Sequence, residues 1–405
     1  MTTYLIEPQV PLVFRSGRPF GAGGRDGANF PWPSALAGLL RTQYMDDRGW
    51  QAPLNENQVE QLRALATAGP LLARRRGGSL TPLCPKPADA LYLQDDQGAT
   101  RVYRLRPGDY PAGCDSDLPA GLRPLMATGA PESKPQPGPA WWPLQTLLAW
   151  RRGDEVDFAS LAMDEPGRED RTHVALDPDT FAARPGDLFQ TQGLDYGRCR
   201  NENRRGYEES DWVFLGRFAE EIQARMVTFG GERRLSWLEP LAGDPLALPL
   251  EHRAALEAVG AGLPAITRPE IAGKPAPTDA CRAITLTLAT PALFREGWKP
   301  AWLEEGKDVP GIKGLRLKLV AAAVERWQGI SGWDLAWINS RGGRGGAKPA
   351  RKAVAAGATY WFEIIGEPPE NWAEQLWLAP LSDAEQDRRD GFGLAVPGIQ
   401  PNPFQ

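Results

Sequence analysis

Apolar and polar positions alternate along much of this chain, in runs too short for anything but strands. Ala283–Leu288 and Gly314–Val320 carry the period of two that lays one row of side chains on a core, and Tyr4–Ile6, Ala90–Leu93, Thr100–Arg104, His173–Leu176, Trp212–Phe218 and Thr359–Ile365 read as further short strands. In Gly314–Val320 the apolar row is made by leucines. Helical spacing is rarer: Ala35–Tyr44, with Ser34 as the expected N-cap, and Asn57–Ala68. Glu220–Thr228 reads as helical or strand-like, and Phe229–Arg234 and Gly332-Trp333-Asp334 read as turns. Nine prolines between Pro107 and Pro143 exclude regular structure over most of that span. Beyond it, Trp150–Leu194 reads as charged and loop-rich around one strand candidate, and Gly391–Gln405 as a Pro/Gly tail. Alternation with few long helices predicts an α+β fold with antiparallel sheets.

One phrase occurs twice: Pro11-Leu-Val-Phe14-Arg15-Ser-Gly17-Arg18-Pro19 and Pro291-Ala-Leu-Phe294-Arg295-Glu-Gly297-Trp298-Lys299-Pro300. Each copy follows a predicted strand, which points to two related modules. The expected division is 1–278, with a long Pro-rich and loop-rich insertion at about 107–194, and 279–405. The segment Gly262–Asp279, rich in Pro and Gly, is the expected linker.

With 405 residues, 42% of them hydrophobic, the chain can bury sizeable cores in two or three domains. Mean hydropathy is negative, no apolar run approaches the ~18 to 20 residues of a membrane span, and no charged-then-apolar leader opens the sequence. The expectation is a soluble, cytoplasmic protein with no membrane partner. The four cysteines are dispersed and read as reduced, incidental thiols, including Cys199 between Arg198 and Arg200. Of the two histidines, His252 is expected at the surface near a helix start and His173 at a strand edge. Neither has metal-ligand spacing to another donor, so neither a metal site nor a cofactor is expected. The segment Gly342–Pro349 lacks both the glycine before its lysine and the Ser/Thr after it that a phosphate loop requires. No nucleophile elbow is present, and the pairs Asp154-Glu155 and Asp164-Glu165 read as solubilising. No catalytic residue emerges.

Net charge is -5, so any polyanion partner must be met locally. From Leu335 to Phe362 there is no acidic residue, while Arg341, Arg344, Lys348, Arg351 and Lys352 are interleaved with Gly342, Gly343 and Gly345. Pro8 to Arg25 holds Arg15, Arg18 and Arg25, again without an acid. Glycines admit a nucleic-acid backbone close to the polypeptide, and arginines pair with phosphate bidentately. Trp298, Trp333 and Trp337 neighbour these stretches and, where exposed, could stack on splayed bases.

Taken in order, several phrases resemble the third subunit of the Cmr complex, the type III-B CRISPR effector, within the RAMP superfamily. They are Phe14-Arg15-Ser16-Gly17-Arg18-Pro19-Phe20, Pro31-Trp32-Pro33-Ser34 through Gly38-Leu-Leu-Arg41-Thr42, Leu188-Phe189 and Phe229-Gly230-Gly231-Glu232-Arg233. Thr290 through Trp298, Ser331-Gly332-Trp333-Asp334-Leu335, and Lys348-Pro349 through Gly357-Ala-Thr-Tyr360 complete the set. The resemblance implies tandem ferredoxin-like (RRM-like) modules and a non-catalytic role in antiviral defence. It implies binding of the CRISPR RNA 5′ handle, docking of the large polymerase-like subunit, neighbouring RAMP backbone subunits, and indirect contact with target RNA. By matching position, Arg15, Ser16, Gly17, Arg18 and Arg41 would belong to the handle surface, with the glycine-rich basic segment as a further RNA contact. The first copy of the repeated phrase is expected to touch RNA, and the second, where Glu296 sits beside Arg295, to be chiefly architectural. Residues 107 to 170 match no pattern, and Gly-Ala-Thr stands before Tyr360 where Gly-Ser-Val is the family's habit. Two rival readings stand beside this one: a metal-independent CRISPR RNA processing endoribonuclease working through His173, and a carbohydrate- or small-ligand-binding protein using exposed tryptophans.

Overall fold

Two long-range strand pairings organise the molecule. The computed structural model describes residues 1–15, 25–110, 112–114, 116–161, 166–196, 212–263, 282–304, 306–338 and 344–400. Strand Thr2–Pro8 lies between Trp212–Phe218 and Leu235–Pro240 in a seven-stranded antiparallel sheet, which runs on through Thr67–Arg76, Ser79–Pro85 and Trp141–Pro143 and is edged on the other side by Arg225–Thr228. Strand Ala283–Leu288 lies between Thr359–Ile365 and Leu394–Ile399 in a five-stranded antiparallel sheet, completed by Arg316–Ala323 and Ala379–Pro380. Four strands of each sheet, counted along the chain, lie side by side in the same order: fourth, first, third, second. The expected antiparallel α+β architecture is what the chain adopts.

Alternation explains how the first sheet is covered on both faces. Tyr4 and Ile6 point with Leu72 and Phe214 into a core closed by Leu36, Leu39 and Leu40 of helix α1 (Pro33–Asp47). Leu5, Leu71, Val213 and Leu215 point the other way, onto Leu144, Leu147 and Leu148 of helix α3 (Leu144–Arg151) and onto Leu378, Leu394 and Val396 of the second unit. Between α1 and the second strand lies α2 (Glu56–Ala64), opened by a reciprocal cap between Asn55 and Gln58. Helix α4 (Leu250–Gly260) brings Leu256 and Val259 into the core of the second sheet, with Trp372 and Leu376 of α5 (Trp372–Leu376). Helix α6 (Glu385–Arg389) precedes the last strand.

Polar contacts tie the units together. Arg41 on α1 pairs with Asp390 at 2.6 Å, and the Thr67 hydroxyl donates to the Arg389 carbonyl at 3.2 Å. Gly391, at φ +87°, runs so near the first sheet that a Cβ there would stand 3.1 Å from the carbonyl oxygens of Gly69 and Thr67. At the far end of α3 the Arg151 guanidinium grips Asp89 with two hydrogen bonds of 2.7 and 2.8 Å, and also donates to the Thr359 hydroxyl of the second sheet at 3.0 Å. The Trp150 indole adds a 3.0 Å bond to Asp89, and the Arg104 guanidinium lies over the Trp150 ring. Both charged side chains are almost fully buried, at 3% and 1% exposure.

Several sequence expectations are corrected. The helix read over Asn57–Ala68 ends at Ala64, and Thr67 opens a strand. Helix α1 is capped by Trp32 with Pro33 in its first turn, because proline's fixed φ suits the position and Ser34 is already inside the helix. The loop-rich reading of Trp150–Leu194 gives way to a long hairpin, Gly167–Leu176 with Ala183–Asp195. Trp333 and Asp334 start a strand, Trp333–Ile338, instead of turning the chain. The tail reading fails at Leu394–Ile399, a fully buried strand that carries Pro397. His252 is buried, not on the surface: its Nε2 lies 2.9 Å from the Pro397 carbonyl, and burial holds its basicity below the ordinary imidazole value despite that bond. The expected linker at 262–279 lies almost wholly outside the described residues.

The Asp89–Arg151 pair yields a stability prediction. Arg151→Met leaves a buried carboxylate without its cation and is expected to cost about 3 to 5 kcal/mol, measured by denaturant unfolding, while Asp89→Leu/Arg151→Met recovers most of the loss. Burial alone would raise the Asp89 pKa, but the Arg151 charge and the hydrogen bonds from Arg151 and Trp150 prevail and lower it. Its stabilisation is therefore whole above about pH 4, the unfolded-carboxylate range, and is lost as pH falls through the lower folded value. The wild type should lose stability on acidification more steeply than the double variant.

Candidate nucleic-acid interface

Both copies of the repeated phrase leave the first strand of their sheet, and each is fixed by its surroundings. In the first, Leu12 exchanges two backbone hydrogen bonds with Leu194, and Phe14 is buried edge-on against Phe229 at 5.0 Å. The Gly231 amide donates to the Val13 carbonyl at 2.8 Å, and Asn29 donates its side-chain amide to the Phe14 carbonyl at 2.9 Å. Gly230, at φ +88°, lets this approach happen: a Cβ would meet the Val13 oxygen at 2.9 Å. Arg15 emerges exposed at the end of the segment. In the second copy the backbone amides of Arg295 and Ala301 donate to the two carboxylate oxygens of Asp383, at 2.7 and 2.9 Å. Leu293 donates its amide to the Ser382 hydroxyl, and Gly297 turns the chain at φ +77°.

Trp32 joins the two copies. Its indole donates to the Arg15 carbonyl at 3.4 Å, while its ring packs on a cluster of Leu293, Ile330, Ala353 and Phe392. Ile330 and Ala353 lie in the paired strands Gln328–Ile330 and Arg351–Ala353, the root of a β-arm that continues through Trp333–Ile338 and Arg344–Ala347. The described part of the glycine-rich basic segment, Arg344–Ala347 and Arg351–Ala353, is thus the return side of this arm. Its root stands on the apolar cluster against which Trp32, bonded to the Arg15 carbonyl, packs.

The sequence-predicted site residues fall into distinct settings. Lys348 and Lys352 are exposed, with the Lys348 backbone fixed by bonds to Gly332 and Ser331. Arg351 is half exposed but bonds Asp387 of α6 at 2.8 Å. Arg41 gives its guanidinium to Asp390, Leu65 and Arg389 and is only 12% exposed, so it serves the join between units. Trp298 packs partly buried on the second core, and its carbonyl accepts from the Tyr360 hydroxyl. The backbone pairs Arg344 with Ile338 and Trp333 with Ala347, with Gly345 on the same strand as Arg344 and Trp337 in the irregular stretch between Asp334 and Ile338. Ser16, Gly17, Arg18, Arg341, Gly342 and Gly343 lie outside the described residues. Sequence reasoning missed Trp32 as the bridge and Trp327 as an exposed aromatic at the root of the arm.

His173 lies on the hairpin beside the first copy. Its ring stacks on Phe189 at 5.1 Å, and its Nε2 is 2.8 Å from the Thr191 hydroxyl and 3.5 Å from the Glu232 carboxylate. Burial would raise the Glu232 carboxyl, but Arg234 at 2.6 Å, with His173 and Thr191, holds it below its ordinary value. Among the described residues no cluster of three or more His, Cys, Asp or Glu could hold a metal, and no helix is long and apolar enough to cross a membrane.

The molecule is thus an α+β protein of two joined antiparallel units bearing a glycine-rich basic arm. The sequence model of the family described as CRISPR-associated protein (Cas_Cmr3) matches residues 4–400, and the chain belongs to that family. It is the family that the ordered motifs resemble, that of the third subunit of the type III-B Cmr complex. Two solved structures are similar over most of its length. A chain of the type III-B Cmr-beta bound to cognate target RNA and AMPPnP shares 13% identity at TM-score 0.42, covering 89% of this chain and 86% of that one. A chain of the type III-B Cmr-beta bound to cognate target RNA shares 14% at TM-score 0.43, with the same coverage. No curated protein matches.

The fit of Gly230 against Val13 can be tested by one methyl group. Gly230→Ala is expected to cost more than about 1 kcal/mol and to speed amide exchange at Leu12 and Leu194. Gly38→Ala, on the exposed face of α1 with nothing near its Cβ position, should instead be neutral or stabilise by roughly 0.5 to 1 kcal/mol.

Proposed function

We propose that this chain is a non-catalytic RNA-binding scaffold subunit of a type III-B CRISPR effector. In this reading the Arg15 loop and the basic arm hold the 5′ handle of the CRISPR RNA. The remaining surface docks the large polymerase-like subunit and the neighbouring backbone subunits, and target RNA is contacted only indirectly. The observation that carries the reading is Trp32, whose ring packs on the apolar cluster at the root of the arm while its indole donates to the Arg15 carbonyl, linking the first copy of the phrase to the arm. The two sheets are read as tandem ferredoxin-like modules, residues 1–278 and 279–405, on the strength of their common strand order, with α4 of the first segment packed on the core of the second sheet. Arg41, already spent on Asp390, supports the surface from behind, and Arg351 contributes less than its exposed neighbour Lys352.

Neutralising Arg15, Lys348 and Lys352 together is expected to flatten the salt dependence of single-stranded RNA binding by up to about 2 log-log units, at ~0.7 per phosphate contact. An unchanged slope would remove these residues from the interface. The endoribonuclease reading runs through His173, which the Thr191 hydroxyl and the Glu232 carboxylate already engage. Labelled repeat RNA should remain intact on incubation with the purified protein, and a cut lost in His173→Ala would overturn the non-catalytic assignment.

A further inference from the structure

Strand alternation divides the root of the arm into two faces. Cross-strand partners share a face, so Gln328 goes with Ala353 and Ile330 with Arg351, and these include the residues that pack on Leu293 and Phe392 and reach Asp387. Gly329 and Lys352, paired with each other, take the opposite face, and Trp327, two residues before Gly329, belongs with them. Trp327 is 48% exposed. Its edge passes over Gly329, where a Cβ would stand 3.7 Å from the ring, and the Lys352 ammonium sits 5.0 Å from the ring centroid. An isolated surface aromatic needs no explanation. This one is an indole already holding a cation over its π-face, on the outward side of an arm whose sequence from Leu335 to Phe362 contains no acid.

We propose that Trp327 and Lys352 form a stacking site for one unpaired RNA nucleotide, the base lying on the indole and Lys352 moving to its phosphate. The inference rests on the RNA-binding reading above and adds to it a specific nucleotide site. An aromatic face accepts any base, so the site fixes the path of the strand without selecting sequence. The cation that covers the ring in the free protein becomes the phosphate partner in the complex, and the indole is never left unattended by a polar or aromatic neighbour. Arg351, on the other face, keeps the root seated on α6 through Asp387 while this exchange occurs.

The test uses the full-length chain and single-stranded RNA carrying the host's repeat-derived 5′ handle, as intact RNA and as a series with one abasic position each. Trp327→Ala should weaken binding by about 5- to 150-fold with the salt slope unchanged, whereas Trp327→Phe should retain most of the affinity. Lys352→Gln should lower the slope by about 0.7. At one abasic position wild type and Trp327→Ala should bind alike, because the lost base and the lost ring are the same interaction. If Trp327→Ala matches wild type on intact RNA, or if its defect persists equally at every abasic position, the stacking site is refuted while salt-dependent binding by the wild type leaves the scaffold reading standing. If the wild type shows no salt-dependent binding at all, the scaffold reading falls and the stacking site falls with it. Matching melting temperatures for the three variants exclude unfolding as the cause.

Discussion

The buried Asp89–Arg151 contact is the constraint on which the relation of the two sheets depends. Asp89 follows the strand Ser79–Pro85 of the first sheet, Arg151 ends the helix lying between the sheets, and Thr359 opens the strand that pairs with the second sheet's central strand, Ala283–Leu288. A charge pair this deep gains little over well-packed apolar residues, but it tolerates only one arrangement of its partners. Apolar contacts such as Leu5 with Leu394 supply the burial, and the ion pair fixes the register in which that burial occurs. Gly398 passes directly against Arg151, where a Cβ would stand 2.6 Å from the arginine's own, so the last strand is held to the same register.

That fixed relation gives the repeated phrase its meaning. The copies occupy corresponding places in two sheets, yet they are secured differently: the second by the Asp383 carboxylate gripping its backbone, the first by glycines, Asn29 and Trp32. The Asp383 carboxylate therefore sits against the backbone of the second copy, whereas the described part of the first is held by neutral groups. Trp32 converts two loops that are distant in sequence into neighbours.

Legibility in the sequence followed how far each element's character depends on its own residues. Ala283–Leu288 and Thr359–Ile365 were readable because alternation and β-branched or aromatic side chains mark a strand wherever it packs. The hairpin from Gly167 to Asp195 was legible only at His173–Leu176, since away from its base, where Thr191 and Gln192 are buried, it is largely exposed and shows charge in place of an apolar row. Leu394–Ile399 was hidden by its glycine and proline, which a strand normally avoids. His252 looked like a surface residue because its burial is created by Pro397, far along the chain. For the site, the cations and glycines were visible, but the partners that divide them, Asp390 for Arg41 and Asp387 for Arg351, come from other elements. Trp327 meets Lys352 only through strand pairing, which sequence spacing cannot express.

The placement of strand Thr2–Pro8 also sets the order in which the chain can fold. Its two neighbours, Trp212–Phe218 and Leu235–Pro240, lie more than two hundred residues downstream, and the long segment between must already be made before the strand finds either of them. Pairings of such separation carry the loop-closure entropy of everything they enclose, so they form late and slowly. A ribosome therefore exposes this apolar strand unpaired until Trp212–Phe218 or Leu235–Pro240 has emerged. The hairpin, α3 and the segment around Asp89 reach their own local structure first, and the first sheet closes around parts that are already in place.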